Sequence, residues 1–180
     1  QGGRNSAERD LQAAQNFAHA AENEGIEQIV YFGELVDPTA NLSPYLRSRH
    51  ETGFTLRHGK TPVTEIRAGM IIGPGSAAFE VIRDLVFHLP AMVTPRWVRS
   101  RSQPIALDDV LEYLARLPAI EQAAGAVYDV GGPEVLTYED LMRQFGDLVG
   151  RRPVIVPVPV LTPRLSSYWL DLVTSVPANV

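Results

Sequence analysis

Gly73-Pro74-Gly75-Ser76-Ala77-Ala78 is the stretch whose residue types and spacing first suggest chemistry. It matches the loose G-x-G-x-x-G/A pattern, in which glycines let the backbone approach a pyrophosphate at the start of a helix. An acid for the ribose hydroxyl belongs about 20 residues further on. The chain has Thr94-Pro95-Arg96-Trp97 there. The turn therefore reads as one that borders a site rather than as a phosphate-binding loop. Parallel α/β sheets bind ligands beyond the carboxyl ends of their strands, which is where this turn falls. Arg96, Arg99 and Arg101 around Trp97 form a second group. Guanidinium groups hold phosphate or carboxylate by two parallel hydrogen bonds, and an indole offers a stacking face. An anionic substrate such as a nucleotide phosphate suits Arg96, Trp97 and Arg101, and a solvated basic loop suits the same residues.

Other chemistries lack their residues. His19, His50, His58 and His88 show no metal spacing, and His50-Glu51 has no second histidine of a zinc helix after it. The absence of cysteine removes thiolate nucleophiles, disulfides and cysteine metal sites, and fits a reducing, cytoplasmic setting. There is no Gly-x-Ser-x-Gly elbow for a serine hydrolase. Asp108-Asp109 reads as a helix cap rather than a catalytic carboxylate pair. With a net charge of -5 there is no global field for nucleic acid. No apolar run approaches the roughly 18 residues that would span a membrane. The polar start, Gln1 to Asp10, is no signal peptide. It has no initiator Met, so a processed or excised piece is expected.

The elements that must position these residues alternate in type. Asp10 to Glu24 reads as a helix with Leu11, Ala14, Phe17, Ala18 and Ala21 on one stripe. Ile29 to Phe32 is a short strand that Gly33 ends, and 34–42 is a polar loop. Ser43-Pro44 starts a helix that runs to about Arg57. Val63 to Ile72 is a mostly buried strand. Ser76 caps a helix with Phe79, Ile82, Val86 and Leu89 on its apolar face. Pro90 to Arg101 reads as irregular, and 103–107 as extended. Asp108 or Asp109 caps a helix, 126–130 is a strand, and Thr137 caps a helix over 138–149. The prolines of 154–160 argue for an edge or crossing segment, and Thr162-Pro163 starts a last helix. Strands and helices in alternation imply an α/β fold: a mainly parallel sheet with flanking helices.

Several of these stretches together resemble the C-terminal part of an atypical or extended short-chain dehydrogenase/reductase. The nearest subgroups are the NmrA-like and nucleoside-diphosphate-sugar epimerase-like proteins. Ala13 to Ala21 is similar to the helix before that family's fifth strand, and Ile29-Val30-Tyr31-Phe32-Gly33 to the strand itself. Arg67 to Gly75 is similar to the arginine-led sixth strand and its Gly-Pro-Gly turn. Gln103 to Val110, Tyr128 to Pro133 and Leu136-Thr137-Tyr138 resemble the elements that follow. The resemblance implies a partial Rossmann-like domain over 1–160 with its substrate-side elements. A helix over 161–180 would lead into a further region. The glycine-rich first half, and the strand that selects NAD or NADP, are not in this sequence.

The resemblance also places Tyr45-Leu46-Arg47-Ser48-Arg49 where the family carries Tyr-x-x-x-Lys. Residues at i and i+4 share a helix face, so a hydroxyl and a cation point the same way. A nearby cation favours the phenolate and is expected to lower the tyrosine pKa. Tyr45 and Arg49 are then the expected catalytic pair. Gly33, Tyr45, Arg49, Ala68, Gly69, Met70 and Ile71 are expected to line the NAD or NADP site. Two departures stand out. Arg49 replaces a lysine and cannot share protons, with Glu51 or Glu34 as the alternative surface partner. Gly33-Glu34 stands where the family has Ser or Thr. The expected function is NAD(P)-dependent oxidoreductase or epimerase-like hydride transfer at a secondary alcohol or ketone. The alternatives are a non-catalytic NAD(P)-sensing or assembly protein, and an interaction domain with no cofactor. Expected partners are a small-molecule substrate and a second copy or a complementing N-terminal segment.

Overall fold

A computed structural model of the chain describes residues 4–37, 39 and 41–157. In order these form α1 (Arg4–Asn23), β1 (Ile29–Glu34), α2 (Pro44–Arg57), β2 (Val63–Ala68), β3 (Ile71–Ile72), α3 (Ala77–His88) and β4 (Ala91–Thr94). A 3₁₀ turn (Arg96–Arg99), β5 (Arg101–Ser102), β6 (Ile105–Ala106) and α4 (Leu107–Arg116) follow. Two more 3₁₀ turns (Leu117–Ala119 and Glu121–Ala123) lead to β7 (Val127–Val130), β8 (Leu136–Thr137), α5 (Tyr138–Leu148) and β9 (Val154–Pro157). The elements divide into two compact units. The first takes 4–69 and 108–131, the second 70–107 and 132–157.

The first unit is built on a parallel sheet with strand order β1-β2-β7. Successive residues of a strand point to opposite faces, and β1 uses both. Ile29 and Tyr31 pack with Ala14, Ala18, Ala21, Leu56 and Val63. Val30 and Phe32 pack on the other side with Ile66, Leu114, Leu117, Ala123 and Val130. Helical cover on both faces is what a parallel sheet requires, and the expected α/β class is the one observed. α1 begins at Arg4, earlier than the Asp10 that its apolar stripe marks. Phe17 is 57% exposed. The closely packed stripe is carried by Ala14, Ala18 and Ala21 alone, and Phe17 falls to one side of it.

In the second unit α3 and α5 enclose Ile82, Leu85, Val86, Leu141 and Met142, together with Met92, Val98 and Ile155. Phe145 meets Phe79 and Phe87 edge-on at 5.4 and 5.9 Å. Here the structure corrects three expectations. The strand expected over 63–72 breaks after Ala68, because Ile71-Ile72 takes a new parallel partner in Ile105-Ala106. Within Pro90 to Arg101, expected to be irregular, Ala91–Thr94 is a strand paired in parallel with Val154–Pro157. Helix α4 starts at Leu107, so Asp108 and Asp109 lie in its first turn. There the positive end of the helix favours carboxylates without their acting as the cap. The helix expected from Thr162 lies outside the described residues, as does 158–160 of the extended segment.

The caps expected at Ser43, Ser76 and Thr137 are all formed. Thr137 Oγ1 accepts from Asp140 N at 3.1 Å, and the Asp140 carboxylate accepts from Thr137 N at 2.9 Å. Thr137→Ala should cost about 1 kcal/mol at neutral pH, read by urea unfolding. The Thr137 hydroxyl, then its backbone N–H, hold the Asp140 pKa below the ordinary 3.8. A depressed folded pKa gives stability that is present above the unfolded value and lost as pH falls through the folded one. The gap between wild type and variant should therefore narrow below pH 3.8.

Candidate functional site

Tyr45 sits in the first turn of α2 because Ser43 caps the helix and Pro44 opens it. Its Oη donates to Glu34 Oε1 at 3.3 Å, a long hydrogen bond for an O–H donor. Glu34 is the last residue of β1 and lies opposite Ala68, the last of β2. The pair therefore stands at the carboxyl ends of two parallel strands. One turn further along α2, Arg49 Nη2 donates to Phe32 O at 3.2 Å. Its guanidinium lies 5.5 Å from the centre of the Tyr31 ring. Tyr31 Oη donates back to Arg49 O at 3.1 Å. Arg49 Nε is buried without a hydrogen-bond partner. Among the described residues neither Glu34 nor Glu51 forms an ion pair with Arg49.

The expected lowering of the Tyr45 pKa is reversed. Partial burial, then the charge of Glu34, raise it, and the Glu34 hydrogen bond adds to them. Arg49 pulls the other way without prevailing. Tyr45 is thus a neutral hydroxyl at physiological pH, held as a donor to a carboxylate. Tyr31 is raised as well, by burial first, with Arg49 opposing.

What fixes α2 to the sheet is a buried charge. Glu65, in the central strand β2, is 2% exposed. Its Oε2 pairs with Arg57 Nη1 at the end of α2. Two glycines make room for this carboxylate. A Cβ at Gly33 would stand 2.9 Å from Glu65 Oε1 and 3.1 Å from Tyr31 Cε1. At Gly53 the same distances would be 2.8 and 3.0 Å. A glycine-to-alanine change inside a helix normally gains about 1 kcal/mol. Gly53→Ala should instead destabilise by about 1–2 kcal/mol through overpacking, measured as a lower urea midpoint.

The other expected site residues are distributed between the units. Gly33, Ala68 and Gly69 belong with Tyr45 and Arg49 in the first. Gly33 leaves space for Glu65, as above. Met70 and Ile71 belong to the second, where the Met70 side chain is core and its carbonyl accepts from Ile105 N at 2.9 Å. Ile71 O accepts from Ser76 Oγ at 2.6 Å. The turn at 73–76 owes its glycines to packing and conformation: a Cβ on Gly73 would lie 2.6 Å from Leu107 Cβ, and Gly75 has φ +81°. Arg96, Trp97 and Arg101 lie on the 3₁₀ turn and β5, with Trp97 edge-on to Tyr138 at 5.5 Å. Sequence reasoning missed Glu34 as the partner of Tyr45, and missed the Glu65–Arg57 pair. A lone carboxylate inside Val63-Thr64-Glu65-Ile66 was the available signal for the pair.

Parallel strands with helices on both faces, and a polar cluster at their carboxyl ends, define a Rossmann-like α/β protein. The solved structures it is similar to share this fold. MoeE5, in complex with UDP-glucose and NAD, is 16% identical with a TM-score of 0.67, covering 84% of this chain and 57% of that one. WbmG from Bordetella bronchiseptica, in complex with NAD, is 20% identical with a TM-score of 0.66, covering 95% and 60%. The UDP-glucuronic acid 4-epimerase from Bacillus cereus, in complex with NAD, is 12% identical with a TM-score of 0.65, covering 94% and 66%. The chain thus spans 57–60% of the length of the first two. No protein-family model and no curated protein matches the sequence. Among the described residues there is no group of three side chains that could hold a metal ion, and no helix is long and apolar enough to cross a membrane.

Proposed function

We propose that this chain is part of an NAD(P)-dependent oxidoreductase or epimerase-like protein that works by hydride transfer at a secondary alcohol or ketone. The observation that carries the reading is the Tyr45 hydroxyl aimed at Glu34, at the carboxyl ends of β1 and β2. The buried, unpartnered Nε of Arg49 one turn away is a spare donor that fits a ligand rich in hydroxyl and phosphate acceptors. Such a ligand is a nicotinamide dinucleotide, which solved proteins of this fold bind. Arg49 would hold its ribose, and Gly33 and 68–71 would line it. A bound nicotinamide supplies or accepts the hydride.

The chain's own residues handle the proton. When an alcohol is oxidised, the substrate O–H proton passes to Tyr45 Oη while the Tyr45 proton passes to Glu34. The carboxylate keeps that proton and returns it by the same route when the ketone is reduced. Arg96, Trp97 and Arg101 would hold the anionic part of the substrate. The partner is a complementing N-terminal segment or a second copy, since among the described residues β1 is an edge strand of its sheet. The raised Tyr45 pKa favours the second reading, a non-catalytic NAD(P)-sensing or assembly protein.

Fluorescence titration with NADPH and NADH tests the cofactor. A chain extended upstream through the native gene should bind one of them saturably, and the 180-residue chain should not. No binding to the extended chain would remove the cofactor and with it the hydride chemistry.

A further inference from the structure

The second unit holds a cavity of about 390 Å³ between α3, the 3₁₀ turn and α5. That volume lies in the range of about 300–1,000 Å³ typical of small-molecule sites. Val81, Ile82, Leu85 and Met142 line it, with Trp97 and Tyr138 as an edge-to-face pair. Among the described residues its polar side-chain groups are the hydroxyls of Ser100 and Tyr138 and the indole N–H of Trp97. Such a lining suits hydrocarbon. A nucleobase or a sugar would lose its hydrogen bonds to water there and find few side-chain partners to replace them.

The turn that closes the cavity is the cationic one. A 3₁₀ helix has three residues per turn, so Trp97 and Ser100 share one ridge, and Arg96 and Arg99 share the ridge beside it. Arg101 follows directly. Arg96, Arg99 and Arg101 are exposed, and no carboxylate pairs with any of them among the described residues. This differs from Arg143 and Arg152 of the same unit, which pair with Glu139 and Asp147. An apolar cavity beside unpaired guanidinium groups is complementary to a molecule that is apolar at one end and anionic at the other.

We infer that this cavity binds a single-chain amphiphile, an alkyl or isoprenoid body with a carboxylate or phosphate head, the body in the cavity and the head on the arginines. Arg96, Trp97 and Arg101 are the residues that the proposed function gives to the substrate, so the inference rests on that reading for its place in the reaction. Amphiphile binding itself needs no dinucleotide, so binding here and failure of the cofactor titration are separate results.

Isothermal titration calorimetry of the 180-residue chain with octanoate, decanoate, dodecanoate, dodecyl phosphate, dodecanol and UDP tests it. Affinity should rise roughly fourfold per methylene buried. Dodecanoate and dodecyl phosphate should bind at least about tenfold more tightly than dodecanol, a difference expected of a charge-assisted contact. Replacing Arg96, Arg99 and Arg101 together by Gln should erase that difference and leave dodecanol binding unchanged. Ala78→Trp, in the lining of the cavity, should abolish binding of every alkyl ligand. If that variant misfolds by circular dichroism, Ser100→Phe, another lining position, is the cavity-filling variant in its place. Saturable binding of UDP with none of the alkyl ligands overturns the inference. So does alkyl binding that survives a folded cavity-filling variant, because it then occurs elsewhere.

Discussion

Arg57→Ala should lower the unfolding free energy by about 3 kcal/mol, seen as a drop in urea midpoint at an unchanged slope. The cost arises from what stays behind. Glu65 lies against Gly33 and Gly53 and is only 2% exposed, so water reaches little of it. Removing one partner of a buried pair costs roughly 3–5 kcal/mol. The lower end applies because the Arg57 side chain is 24% exposed. Burial, then the Arg67 guanidinium, lower the Arg57 pKa, yet a guanidinium remains charged at neutral pH. Arg67 is no substitute, since its Nε is engaged by Asp129 Oδ1 at 2.6 Å. The double variant Arg57→Ala/Glu65→Gln should lose less than Arg57→Ala alone, because a neutral amide is cheaper to bury than a charge. A single variant within about 0.5 kcal/mol of wild type, the range of ordinary surface substitutions, would mean that Glu65 finds another cation.

Tyr45→Phe should reduce turnover in the extended protein by about 10²–10⁴, the range for loss of a positioned proton donor. Cofactor affinity should stay within about twofold, because the ring and Arg49 remain. The same relay predicts a result that needs no substrate. Glu34 raises the Tyr45 pKa by its charge and by its hydrogen bond. Glu34→Gln should therefore move the Tyr45 phenolate titration to lower pH in ultraviolet difference spectra, with Tyr45→Phe identifying the band. Turnover that is indifferent to Tyr45→Phe would sink the catalytic role. The sensing reading would then stand if cofactor binding persists.

Local chemistry made part of this molecule legible in advance. Ser43, Ser76 and Thr137 announced helix starts because a cap is decided within four residues, and all three side chains accept the expected backbone N–H. The parallel sheet was readable because Ile29 to Phe32 and Val63 to Ile66 have the composition of buried strands. Distant partners were harder to read. Pro90 and Pro95 bracket Ala91–Thr94 and locally argue for a loop, but its mate is Val154–Pro157. Asp108 obeyed the capping statistics and still lies inside the helix. At the candidate site, spacing placed Tyr45 and Arg49 on one helix. It did not weigh Arg49 against Glu34, which requires geometry. Glu65 was absorbed into an apolar run, and its two glycine neighbours come from other elements.

Arg67 and Asp129 are 62 residues apart in sequence, yet adjacent in the register of β2 and β7. Closing a flexible loop of that length costs on the order of 4 kcal/mol in chain entropy beyond the constant term. More than half of the excursion, 70–107, belongs to the other unit. If that unit folds first, the loop is already shortened when β7 arrives. The order of events is thus written into the topology. Strands β1 and β2 can pair early from neighbouring sequence, and β7 must wait for the long-range step that sets the folding rate.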